Sequence, residues 1–504
     1  MDIVANGENL TIEQVVQAAR KQTPVRLELP PRFYASRELV AAKAAGPEPV
    51  YGINTGFGLL ATIRISEDQL QELQRNLVMS HAAGVGDPVP TEVCRAILLL
   101  RLNTLAKGFS GVREETVRLL VEMLNRRVHP IIPSRGSVGA SGDLASLAHL
   151  ALVMIGLGEA EFQGDRLPGA DALAKSGLTP LALEAKEGLA LINGTQLMAA
   201  YGALAIHDAE RLVEAAEIAC ALSIEAFKGS MRPADPRIQS VRPHPGQVAS
   251  AAHLHALLEG SSIVDSHQND CPRVQDPYSL RCAPQVFGAV REGLTFARSI
   301  IERELNSATD NPLCFGESET ILSGGNFHGQ PVALALDVAK MVLTQMGNFS
   351  DRRSYRLLSS AFSGLPPFLA RKPGLNSGYM VAQYTSAALC AENGVLGVPA
   401  TLHSIPTSAG MEDFNSMGAT SAVQLRSIVE NVQRIVAVEL LCAAQGVEEH
   451  RPLRSTDPLE AAVAAIRQRV PTLDRDRPLS EDIERVAKLI REGILQDEVQ
   501  KAFQ

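Results

Sequence analysis

Four stretches of this chain, Leu197 to Glu225, Gln285 to Leu305, Pro331 to Asp351 and Ala419 to Gly446, are long, apolar-rich and nearly free of internal breakers. Several are apolar around most of their circumference. A helix of that kind must be buried on nearly all sides, as in the centre of a large bundle or an oligomer. Alternating strand patterns are scarce. Val25-Arg26-Leu27-Glu28-Leu29 is the clearest, and a hairpin is expected near Glu161 to Leu167. The expected fold class is all-α with a long helical bundle. Shorter helices carry local start signals: a Thr11-x-x-Gln14 capping box, a Ser66-x-x-Gln69 box, Thr91, and Ser110.

At 504 residues the chain is long enough for several domains of about 150 residues, although one continuous helical core can break that rule. The 56 carboxylates outnumber the 47 Lys and Arg, for a formal net charge of −9. Nucleic-acid duplexes and anionic membranes would repel such a surface, so neither is expected as a partner. No run of about 18 apolar residues is present to span a bilayer. The first residues, Met1 to Glu8, have neither the basic nor the apolar region of an export signal. The seven Cys are scattered, without Cys-x-x-Cys spacing. They suit reduced, mostly buried thiols in a cytoplasmic protein and argue against a zinc site.

The other recurring segment is a Gly-rich, polar, uncharged loop. Five occur: Tyr51 to Gly58, Gly136 to Asp143, Asn193 to Gln196, Ser323 to Gln330 and Pro406 to Gly418. Such loops are entropically expensive to order, so their repetition in a helical body points to convergence on one site.

Gly136-Ser137-Val138-Gly139-Ala140-Ser141-Gly142-Asp143-Leu144 carries the chemistry. The second Gly is misplaced for a serine-hydrolase elbow. No Lys follows, as a phosphate-binding loop would require, and no strand precedes, as a dinucleotide fingerprint would. Ala-Ser-Gly in a tight turn can do something else. The amide nitrogen of Gly142 can attack the carbonyl carbon of Ala140, an approach that a Cβ would obstruct. Loss of water from the ring, and of the Ser141 hydroxyl as a second water, leaves a methylidene conjugated to a carbonyl. The product is 4-methylidene-imidazol-5-one (MIO), an electrophile that needs no added metal or nucleotide. A plain Gly-rich turn entering the next helix is the alternative for the tripeptide alone.

The surroundings extend the pattern. Gly136 to His149 resembles the signature of the aromatic amino-acid ammonia-lyases. Tyr51 to Gly58, Lys186 to Thr195, Gln275 to Arg281, Gly325 to Gly329 and Glu412-Asp413 resemble other motifs of that family, in family order. The resemblance implies an aspartase/fumarase-like helical fold. It also implies a homotetramer whose active sites draw on more than one chain, and a MIO group built from Ala140, Ser141 and Gly142. An N-terminal region, 1–195, would hold the catalytic loops, and 196–504 the bundle.

By the same resemblance, the Ser141 methylidene carbon captures the substrate amine and Tyr51 is the base. With an ordinary pKa of about 10, Tyr51 would need positive charge or donors nearby to ionise. Arg281 would clamp the substrate carboxylate with its planar fork. Tyr278 would donate near the prosthetic group, Asn193 would bond the ring or the amine, Gln275 would support the same polar cluster, and Phe327 would pack against the ring.

His81, Met380 and Glu412 speak to the side-chain pocket. In the histidine enzymes of this family, His, Met and Glu at matching positions surround the imidazole. The chemistry agrees, because a ring with N–H groups needs polar partners, whereas a cinnamate-forming pocket would gain nothing from a buried carboxylate. The implied reaction is elimination of ammonia from L-histidine to give urocanate. Met411 and Phe414 depart from the histidine pattern, which has Gln and His there, and Ala145-Ser146 replaces a usual Ala-Pro. A phenylalanine or tyrosine lyase, a 2,3-aminomutase and a non-catalytic scaffold therefore stay open.

Overall fold

The structure is a computed structural model that describes residues 2–267 and 274–503. Cys271 lies outside the described residues, and the other six Cys are free thiols. The chain is 61% helical with few strands, which bears out the all-α expectation. The four apolar stretches are the helices Gln196–Ala226, Ala283–Glu304, Gln330–Leu357 and Gly418–Glu448. The run Ile435 to Leu441 is buried at every residue, including Glu439. Seven consecutive helical positions cover the whole circumference, so this segment is enclosed on all sides, as its sequence demands.

The residues cluster into two compact units, each discontinuous in sequence. One comprises Met1–His207, Ala297–Asp337 and Pro399–Gln424; the other comprises Asp208–Phe296, Val338–Val398 and Leu425–Gln504.

In the first unit, the helix Thr91–Ala106 is buried from Val93 to Ala106. That burial includes two Arg residues, so each guanidinium must find acceptors inside. Arg95 donates to the carbonyls of Ala18 and Leu124. Arg101 donates to the carbonyl of Asn193 at 2.7 Å. The helix Glu187–Ile192 is anchored at its start by three side chains. Lys186 pairs with Asp310 at 2.9 Å, both fully buried. Glu187 accepts from Arg113 and Thr116. Gln74 Oε1 accepts from the N–H of Gly188 at 2.9 Å and so satisfies a helix-end donor. Small strands complete the unit. Ile3–Ala5 pairs in parallel with Val25–Leu27, and the hairpin Glu159–Phe162 with Asp165–Pro168 is extended by His129–Pro130.

Local start signals fared unevenly. The Thr11 capping box forms as expected. Ser66 instead donates to the side chain of Gln69, ahead of a helix that begins at Leu70. Thr91 is the first helical residue rather than the cap, and its hydroxyl bonds Glu161. The helix expected from Ser110 begins at Glu114, and the Ser110 hydroxyl is buried without a hydrogen-bond partner.

In the second unit, Glu439 is fully buried and accepts from Arg353, Ser350 and Ser223. The Arg353 guanidinium lies 4.7 Å from the Phe349 ring centre, and its remaining nitrogen reaches the carbonyl of Ser279 at 3.4 Å. That third contact props the one-turn helix Tyr278–Arg281.

His129 yields a pH prediction. Arg95 Nη1 lies 3.1 Å from His129 Nε2, and a guanidinium can only donate, so Nε2 must keep its lone pair. Burial, then the charge of Arg95, lowers the His129 pKa from 6.5 to about 4. The unfolded chain takes up this proton near pH 6.5, and the native chain does so only near 4. Stability from this residue is therefore complete above 6.5 and is lost as pH falls toward 4. We expect His129→Gln to flatten the urea-unfolding midpoint against pH across that window, and an unchanged slope would contradict the assignment.

Candidate active site

The Gly136–Asp143 loop is fixed by main chain. Gly142 has φ +73°, and a Cβ there would lie 2.1 Å from the carbonyl oxygen of Gly194. Gly142 and Gly194 form an isolated parallel bridge, and the N–H of Asp143 donates to Gly194 at 2.6 Å. Only glycine tolerates both the positive φ and the approach. Asn193 Nδ2 donates to the carbonyl oxygen of Ser141 at 2.7 Å. Asn193 Oδ1 is buried with no hydrogen-bond partner.

Asp143 caps the helix Leu144–Met154 by position, but its carboxylate faces elsewhere. It accepts from Ser137 Oγ at 2.8 Å and from the N–H of Met198 at 3.1 Å. Burial raises its pKa to about 6 against the pull of those bonds. The loop's other edge is held by the segment before the helix Gly418–Glu448. Ser416 Oγ donates to the carbonyl of Gly139 at 3.0 Å, and the N–H of Met417 donates to Val138 at 2.9 Å.

Glu412 meets the tripeptide directly, with Ser141 Oγ donating to its Oε1 at 3.0 Å. Its charge is also felt by two other expected site residues. The phenol of Tyr51 is pushed up by burial and by Glu412, partly offset by a bond from the N–H of Gly58. Its ring sits edge-on to Phe57 at 6.4 Å. The pKa of His81 is lowered by burial, against the opposing effects of the Leu77 carbonyl and Glu412. His81 Nδ1 lies 2.9 Å from that carbonyl, which can only accept, so Nδ1 carries the proton and Nε2 the lone pair.

The structure thus brings Tyr51, His81, Ala140 to Gly142, Asn193 and Glu412 into one unit. Phe327 belongs to the same unit, in the turn beside His328. Gly329, two residues on, sits so close to Met198 and Ser416 that a Cβ would clash with both. Gln275, Tyr278, Arg281 and Met380 belong to the second unit. There the Arg281 guanidinium stacks 4.7 Å from the ring centre of Tyr278, which is 69% exposed. Gln275 and Arg281 both line a cavity of about 530 Å³. Asp276 accepts from the N–H of Ser230. Met380 opens the helix Met380–Leu396.

Phe414 is 57% exposed and stacks on His328 with a centroid separation of 6.1 Å. His328 Nδ1 accepts from the N–H of Gln330, so its Nε2–H donates to the Phe414 carbonyl at 3.0 Å. Sequence reasoning missed this clasp. It also missed Arg101, Thr407 and Asn415; the Asn415 position inside the polar Pro406–Gly418 loop was the one available signal.

A helical chain with a Gly-braced Ala-Ser-Gly turn facing a carboxylate makes a helical lyase the class to test, and comparison with known proteins agrees. The family profile described as "Aromatic amino acid lyase" matches residues 10–468, and the chain belongs to that family. It is 56% identical over 501 residues to a histidine ammonia-lyase of Stigmatella aurantiaca, covering 99% of this chain and 98% of the relative. It is 53% identical to the Myxococcus xanthus histidine ammonia-lyase, covering 99% of each. Among solved structures, the histidine ammonia-lyase of Trypanosoma cruzi superposes with a TM-score of 0.92 at 42% identity, covering 100% of this chain and 96% of that one. A tyrosine aminomutase of Streptomyces globisporus superposes at 0.93 with 39% identity, covering 99% of each.

Gly142→Ala should force the Gly194 contact open. We expect the amide of Asp143 to lose hydrogen-exchange protection, with a stability loss of roughly 1–3 kcal/mol from the strained φ and the displaced main chain. Wild-type protection in this variant would show that the close approach is not a constraint.

Proposed function

We propose that this ammonia-lyase acts on L-histidine, releasing ammonia and trans-urocanate at an electrophile made from Ala140, Ser141 and Gly142. The observation that carries the reading is the contact between Ser141 and Glu412, which sets an acidic side chain at the reacting tripeptide. An apolar substrate ring would give Glu412 Oε1 no donor in place of the Ser141 hydroxyl. An imidazole ring supplies N–H groups for it. Curated relatives at 50–56% identity that carry the histidine ammonia-lyase name support the same choice.

The residues present fit the MIO group. Gly142 leaves its amide unobstructed by a side chain, and the Ser141 carbonyl that a closed ring would retain is already held by Asn193. The MIO group supplies an electron-poor alkene carbon that takes the substrate amine and makes it a better leaving group. Asn193 Nδ2 draws electron density toward the Ser141 carbonyl oxygen, which strengthens that electrophile. Its unpartnered Oδ1 is an acceptor for an ammonium. Glu412 presents a lone pair to the ring N–H, and His81 Nε2 presents one to the second N–H of a protonated ring. Arg281 offers the carboxylate clamp, with Gln275 nearby, and Met380 the apolar wall. Phe327 excludes water.

Tyr51 is the proton acceptor. Burial and Glu412 oppose its ionisation in the empty site. A cationic substrate seated against Glu412 cancels part of that opposition, so binding itself readies the base. Tyr278, exposed in the single chain, transfers protons once covered. A homotetramer supplies such cover. The helix Met380–Leu396 leaves Val381 56%, Tyr384 61% and Val395 73% exposed, an apolar surface suited to a second copy. A cytoplasmic location agrees with free thiols at the described Cys.

Glu412→Gln keeps the shape and removes the charge. We expect kcat/KM for histidine, followed by urocanate absorbance, to fall roughly a hundredfold, the scale of one charged hydrogen bond of about 3 kcal/mol. Wild-type turnover in this variant, or a wild-type enzyme that turns over phenylalanine or tyrosine but not histidine, would overturn the substrate assignment.

A further inference from the structure

The Glu412 carboxylate is held at both oxygens by groups with different fates. Oε1 accepts from Ser141 Oγ at 3.0 Å and Oε2 accepts from Thr407 Oγ1 at 2.6 Å. Thr407 and Glu412 also exchange main-chain bonds, Thr407 N–H to the Glu412 carbonyl at 2.9 Å and the reverse at 3.3 Å. Behind Thr407, Asn415 Nδ2 donates to Thr407 Oγ1 at 3.2 Å and also to the carbonyl of Ile405. Asn415 is fully buried, and its own N–H is fixed by Ser404 Oγ at 2.8 Å. The direction of this chain is set by chemistry. An amide nitrogen only donates and a carboxylate only accepts, so the Thr407 hydroxyl must receive from Asn415 and donate to Glu412.

After ring closure releases one water, formation of the methylidene expels the Ser141 hydroxyl as the second. Oε1 then has lost its donor, while Oε2 keeps Thr407. A carboxylate turns about a broad terminal torsion, so an oxygen without a donor would otherwise be free to swing away. We propose that Thr407, braced by Asn415, is a positioning residue that locks Glu412 with Oε1 turned toward the substrate ring. Maturation of the tripeptide thereby opens the ring-binding acceptor that the Ser141 hydroxyl had occupied. This inference rests on the histidine reading above. The Thr407 hydroxyl bonds Glu412 and Asn415, and it acts through Glu412.

The test compares Thr407→Val, which keeps the branched shape but deletes the donor, with Thr407→Ser, which restores it. Intact mass, thermal midpoint, kcat and KM for histidine, and inhibition by urocanate are measured on the full-length enzyme. We expect Thr407→Val to keep the two-water mass deficit relative to its own translated sequence, to raise KM and the urocanate inhibition constant roughly tenfold to a hundredfold, and to change kcat less. Thr407→Ser should return both constants to near wild type. If Thr407→Val does not yield folded protein, Thr407→Ala against Thr407→Ser makes the same comparison. Wild-type KM and inhibition in the Val or Ala variant overturns the proposal, as does a fall in kcat and thermal midpoint with KM unmoved. A wild-type enzyme inactive on histidine would instead sink the parent reading, and this proposal with it.

Discussion

The active-site half of the molecule hangs on one main-chain approach, the carbonyl of Gly194 standing where a side chain on residue 142 would have to be. Two glycines at positive φ make that approach possible. It couples two segments about fifty residues apart, so whatever fixes the helix end at Asn193 also fixes the Ala-Ser-Gly turn. The buried Arg101 contributes by holding the Asn193 carbonyl from a fully enclosed helix. The buried Lys186–Asp310 pair and Gln74 contribute at the other end of the short helix. Buried pairs are poor sources of net stability, but they make alternative arrangements costly, because a lone buried charge has nowhere to go. Rigidity at the tripeptide is what such an investment secures.

Electrostatics of the site follow from the same enclosure. Asp143, Tyr51 and His81 are each displaced toward their neutral forms by burial. Glu412 is the carboxylate that meets the tripeptide directly, and Thr407 and Ser141 both donate to it. A site of weakly ionised groups around one solvated acid favours a cationic guest. Such a guest also changes its surroundings, since it offsets the charge that holds Tyr51 protonated.

The helical body was legible in the sequence because burial on all sides leaves a mark on every residue, as at Ile435 to Leu441. The catalytic loops were legible because glycine at a close approach cannot be replaced without strain. The Thr11 cap was legible because both of its partners are local. Ser66 and Thr91 misled by a few residues, since their hydroxyls serve Gln69 and Glu161 and not a helix end. Thr407, Asn415 and the His328–Phe414 clasp escaped notice for a related reason. Their roles are pairwise and three-dimensional, and threonine or asparagine in a polar loop carries no spacing that distinguishes a brace from a solvated turn. Phe414, read from sequence as a possible sign of a less polar substrate, is spent on the stack with His328.

The account stands or falls on covalent change within residues 140 to 142. Intact-mass measurement of catalytically active protein, with peptide mapping across Gly136 to Asp143, tests it directly. The account predicts a chain two water masses lighter than the translated sequence, with the whole deficit in that peptide. Active protein at the full translated mass, with the Ser141 hydroxyl retained, would contradict it.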